Sequence, residues 1–170
     1  MKALIVYDSV YGNTKQVALA IGAVIQNGLT HADECSTCYL GDVEPQDLSG
    51  VDLLVFGAPT QQFRPAPNAR NFLKRMPKHS LHGVIFAAFD TRITEEEIQS
   101  HGRVVTKLFD VFGYAAPRIA DRLEKAGGKM LVAPEGFFVG GTEGPLTDGE
   151  LERAAHWANE ILAQADTSNV

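Results

Sequence analysis

Four apolar runs of this chain lack a polar face: Ala3 to Tyr7, Val51 to Phe56, Val84 to Phe89, and Met130 to Ala133, extending towards Phe137, Phe138 and Val139. A strand with one wet face alternates polar and apolar side chains. Runs without that alternation belong to strands covered on both faces, as in a parallel sheet layered with helices. A fifth run, His31 to Leu40, is mostly polar and fits an edge strand.

Helical patterns lie between the runs. Val17, Ile21, Val24 and Ile25 recur at helical spacing, and Leu151, Ala154, Ala155, Ala158, Ile161 and Leu162 do so behind Thr147 and Glu150, which have capping-box spacing. Thr94 to Glu97 carries the same start signal. Pro117 suits a first helical residue before Ile119 and Leu123, and Gly127 and Gly128 suit a stop. Strands alternating with helices predict a single-domain, three-layer, doubly wound α/β sandwich with right-handed crossovers. Its expected extent is residues 1–165, with 166–170 as a C-terminal tail. At 170 residues and 45% hydrophobic, the chain can bury the core this needs.

The formal charge of −6, with 15 scattered Lys and Arg, argues against a protein that tracks nucleic-acid phosphates. No apolar run approaches the roughly 18 residues of a spanning helix, and the first one is too short for a secretion signal. A cytoplasmic protein is expected, and two cysteines agree with a reducing compartment. Cys35 and Cys38 sit three apart on the expected edge strand, so they face opposite sides; with no other cysteine they make no metal site. His79 and His82 precede the fourth strand, at the sheet end away from any ligand. His101 and His156 have no evident acid or metal partner, and Trp157 reads as packing. Gly140, Gly141 and Gly144 read as turns rather than as a dinucleotide fingerprint.

In doubly wound sheets, ligands bind beyond the C-terminal strand ends, where the strand order reverses. The first strand ends near Asp8, which puts Ser9, Val10, Tyr11, Gly12, Asn13 and Thr14 at that place, just ahead of a helix. A helix N-terminus offers unpaired N–H groups and a partial positive charge; Ser9 and Thr14 add hydroxyls and Asn13 an amide, and Gly12 allows close backbone approach. The loop can hold a phosphate without Lys or Arg. The same residues also serve an ordinary capped strand-to-helix turn.

Here the sequence resembles the flavodoxin family, whose FMN phosphate loop Ser/Thr-x-Thr-Gly-x-Thr stands as Ser9-Val10-Tyr11-Gly12-Asn13-Thr14, with Tyr11 replacing a small hydroxyl residue. Three further segments are in register with the family: Val55 to Phe63, similar to its Gly-Ser/Ala-Pro-Thr loop; Ala87 to Ile93, at its second flavin-flanking loop; and the ending from Phe137 to Ile161, similar to a prokaryotic subgroup. The resemblance implies five parallel strands in the order 2-1-3-4-5, an order given generally for flavodoxin. It implies FMN as cofactor, with the phosphate on residues 9–14. Ala58, Pro59, Thr60, Gln61 and Phe63 would lie at one side of the ring, and Phe89, Asp90, Thr91 and Arg92 at the other. Arg92 is read in two ways: as a cation near the ring, or as a surface Arg paired with Glu95 or Glu96.

The chemistry would reside on FMN, with no catalytic side chain and no metal. The resemblance implies electron transfer to or from a redox partner protein or a small-molecule acceptor. The loop 90–94 has no aromatic residue and the loop after the third strand offers only Phe63, so a ring open on one face also fits an FMN-dependent oxidoreductase acting on a quinone or protoporphyrinogen-like substrate. A third reading is a flavin-free interaction module on the same fold. A homodimer is compatible with each.

Overall fold

The computed structural model describes residues 1–30, 33–100, 102–104, 106–107 and 113–168; His31 and His101 lie outside them. In chain order the elements are β1 (Lys2–Tyr7), α1 (Asn13–Gly28), β2 (Glu34–Tyr39), β3 (Leu53–Gln61), β4 (Arg64–Pro65), α2 (Pro67–Arg75), β5 (Ile85–Ile93), α3 (Glu95–Ser100), α4 (Ala115–Lys125), β6 (Lys129–Met130), β7 (Glu135–Val139) and α5 (Glu150–Ser168). Short 3-10 turns at Leu40–Asp42 and Pro45–Leu48 link β2 to β3.

The sheet runs β2-β1-β3-β5, and both β6 and β7 pair with the outer edge of β5. These two short strands are one fifth strand broken at 131–134, where Pro134 has no N–H for the ladder. The order 2-1-3-4-5 therefore holds, and every pairing is parallel except the β3–β4 hairpin. Register places Val6 between Cys38 and Phe56, and Tyr7 between Tyr39 and Gly57.

The first three apolar runs each feed two cores, which is why they lack alternation; the fourth departs from the expectation, giving Leu131, Val132 and Phe137 to one core only while Met130 and Ala133 are exposed. Leu4, Val6, Leu54, Phe56 and Phe86 pack under Phe72 and Leu73 of α2 and Ile119 and Leu123 of α4. Ala3, Ile5, Val55 and Phe89 face α1 and α5 through Val17, Ile21, Trp157 and Ile161. Each large side chain so buried contributes about 1.5–3 kcal/mol. Cys35 and Cys38 join opposite cores, and Trp157 is a packing residue, edge-on to Phe89 at 6.2 Å and to Phe137 at 6.1 Å.

Several local expectations are corrected. The α5 helix starts at Glu150, not Thr147, and it runs into the stretch 166–170 expected as a tail. The buried Glu150 carboxylate accepts the Phe138 N–H at 2.7 Å and pairs with Arg153, so it closes no capping box. The α4 helix opens two residues before Pro117. His156 does have an acid partner, Glu160, at 3.4 Å on the exposed helix face. Thr94, as expected, caps α3 by accepting the Glu97 N–H at 3.2 Å. No helix among the described residues is long and apolar enough to cross a membrane.

Candidate functional site

The C-terminal ends of β1, β3 and β5 converge on the loop that opens α1. Gly12 sits at φ 87°, left-handed backbone that a side chain would strain, and its carbonyl accepts the Gln16 N–H as the first helical bond. Ser9 Oγ accepts the N–H of Gly12 at 3.1 Å and of Lys15 at 3.3 Å, folding the loop back on itself. Thr14 Oγ1 meets Thr91 Oγ1 at 2.8 Å, and Asn13 donates through Nδ2 to the Glu143 carbonyl at 2.9 Å. Polar side chains expected to face a ligand thus first build the loop. What is left is backbone: the N–H groups of Val10, Tyr11, Asn13 and Thr14 have no acceptor among the described residues. With no acid in the first turn of α1, the positive end of the helix is uncompensated there.

Beside this loop lies a cleft of about 520 Å³, within the range of small-molecule sites. Its walls are strands rather than loops. The β3 strand continues through Ala58, Pro59, Thr60 and Gln61 and turns back into β4 by a two-residue hairpin at Gln62 and Phe63. The β5 strand continues through Asp90, Thr91, Arg92 and Ile93 against β7. Of the expected site residues, Val10, Tyr11, Asn13, Thr14, Pro59, Thr60, Gln61, Thr91 and Arg92 line the cleft. Ser9, Gly12, Ala58, Phe63, Phe89 and Asp90 do not. Ser9 and Gly12 shape the loop, Ala58 is buried, and Phe89 lies wholly in the core, its ring over Gly57 and against Trp157. The sequence reading missed Arg64 and Arg70, two cations in the cleft lining signalled only by "FRPAPNAR".

Two buried aspartates, Asp8 just after β1 and Asp90 within β5, each hold a helix start. Asp8 accepts the Ala69 N–H of α2 at 3.3 Å; burial pushes its carboxyl above the usual range, opposed by hydrogen bonds from Ala69, Asn68 and Ser9. Asp90 accepts the Ala116 N–H of α4 at 2.7 Å and Arg92 Nε at 2.5 Å. Burial raises Asp90 as well, against the pull of Arg92 and its hydrogen bonds. The Arg92 guanidinium lies 3.8 Å over the Tyr114 ring. Its ion-pair partner among the described residues is Asp90, a buried acid two residues back.

A sheet end with open N–H groups at one helix terminus and a cleft beside it, at the reversal of strand order, defines a ligand-binding domain of the doubly wound class. A flavodoxin domain model matches residues 4–135. In fold the chain is similar to oxidised flavodoxin 1 of Bacillus cereus, at 18% identity over 96% of this chain and 98% of that one, with a TM-score of 0.73. It is also similar to a flavodoxin from the domain Archaea (21%, 98% and 99%, TM-score 0.70) and to a flavodoxin, WrbA-like protein from Agrobacterium tumefaciens (19%, 98% and 98%, TM-score 0.67). No curated protein sequence matches. The chain belongs to the flavodoxin domain family, an FMN-binding family of electron-transfer proteins. Its donor set fits that cofactor: a phosphate monoester needs several convergent donors, and the loop presents four unpartnered N–H groups with the helix field behind them.

Proposed function

We propose that this protein holds FMN with its phosphate in the loop 9–14 and its ring in the cleft between the extensions of β3 and β5, and exchanges electrons there with a partner. The supporting observation is the set of open N–H groups on Val10, Tyr11, Asn13 and Thr14. FMN, when bound, supplies one- and two-electron chemistry that side chains cannot. The chain's own work is positional. Ser9 fixes the loop, Gly12 lets the backbone turn toward the anion, and the Thr14–Thr91 contact ties the phosphate end to the ring end. Pro59, Thr60, Gln61, Thr91 and Arg92 line the ring side. Arg92's charge is largely balanced by Asp90, so the positive potential of the cleft comes from Arg64, Arg70 and the α1 terminus.

One observation favours a second reading, turnover of a small substrate: among the described residues lining the cleft, Tyr11 alone is aromatic, so these residues supply no aromatic pair to cover both ring faces. Titrating apoprotein with FMN and with riboflavin tests the first reading. FMN bound far more tightly than riboflavin supports the phosphate loop; equal affinities, or no binding, refute it. Steady-state assays of the loaded protein with quinone acceptors then separate an enzyme from a carrier.

A further inference from the structure

We propose that the groove between α2 and α4, next to the cleft, is a subsite for the anionic end of a small molecule bearing phosphate or carboxylate groups. Arg70 and Lys74 stand one turn apart on α2, and Arg118 and Arg122 one turn apart on α4. The two helices pack together, so the two cation rows line one pocket of about 200 Å³, with Arg64 of β4 added and Leu73 as an apolar wall. Like charges one turn apart repel. Among the described residues, Arg64, Arg70, Lys74 and Arg122 form no ion pair. Asp121, on α4, is held by Lys125 at 2.6 Å, and Glu44 by Arg75 at 2.9 Å. Five cations gathered at one place on a chain of net charge −6 run against the overall balance.

Guanidinium groups grip phosphate and carboxylate through paired N–H donors, which suits this lining. A concave pocket favours a small ligand over a protein face. The groove shares Arg64, Pro65 and Arg70 with the cofactor cleft, so one molecule can occupy both. Placing the ligand's other end beside FMN rests on the proposed redox reading; anion binding itself does not.

The test is calorimetric titration of the protein, with and without FMN, using pyrophosphate and citrate at low salt. The expected result is saturable binding of at least one anion, weakened about ten-fold or more in Lys74→Ala/Arg122→Ala, with unfolding midpoint and FMN affinity unchanged. Tighter pyrophosphate marks a phosphate ligand and tighter citrate a carboxylate; either supports the subsite. Absence of saturable binding, binding unaffected by the double variant, or displacement of FMN one-for-one by the anion overturns it. Binding of polyglutamate alone overturns it in favour of an acidic protein surface. Anion binding retained in a protein that takes up no FMN sinks the redox reading and leaves this subsite standing.

Discussion

Thr14 and Thr91, 77 positions apart in sequence, share a buried hydroxyl contact of 2.8 Å that joins the start of α1 to the extension of β5. Thr14→Val leaves the Thr91 hydroxyl without its partner, at a cost of about 1–3 kcal/mol. Urea denaturation should show that loss, and the FMN titration a weaker complex, because the loop and the β5 wall lose their tie. Thr14→Ser should restore most of both. A Val variant as stable as the wild type would mean the contact contributes nothing.

Asp8 gives a pH signature. Its folded-state carboxyl is raised by burial, so the folded chain holds the proton more tightly than the unfolded chain does. The stabilisation linked to that proton is complete below the ordinary carboxylate range and is lost as pH rises through the raised folded value. Asp8→Asn keeps an oxygen for the Ala69 N–H and removes the titration. Denaturation at a series of pH values should show the variant gaining on the wild type as pH rises from the ordinary carboxylate range through the raised folded value. A difference independent of pH would refute the raised value.

Gly57 has a packing role. A Cβ there would lie 2.0 Å from Phe89 Cζ, inside the ring that Trp157 and Phe137 hold edge-on. Gly57→Ala should lower stability by about 1–3 kcal/mol, and by less in a Phe89→Leu background, where the obstructing ring is gone. Thermal melts of the two singles and the double read the coupling; strict additivity would dissociate Gly57 from the ring.

The sheet was legible because its signal is local: Val6, Leu54 and Phe86 sit in runs with no polar alternation, and burial on both faces is the simplest cause. The loop 9–14 was legible for the same reason, as a short polar break at a strand end. The walls of the cleft were not. Ala58 to Gln61 and Asp90 to Ile93 read as loops, since proline, threonine and charge interrupt the apolar runs, yet tertiary pairing with β4 and β7 draws them into strands. The hairpin tip lacks the usual Asn-Gly or Asp-Gly signal: Gln62 at φ 48° and Phe63 at φ 65° adopt left-handed backbone that side chains disfavour. The cation groove depends on α2 meeting α4, which spacing within either helix does not reveal.

Making the walls from strand extensions has a consequence for whatever enters between them. The strands β3 and β5 pair directly as far as Pro59 and Thr91, and beyond that Thr60 and Gln61 pair with β4 and Arg92 and Ile93 with β7, so the walls are in place before anything enters. A loop-lined site would have to be ordered by its guest, and part of the binding free energy would be spent on that ordering. Here the receptor resembles a slot cut into the end of the sheet, and selectivity among flat ring systems rests on a spacing that the backbone, rather than the guest, determines.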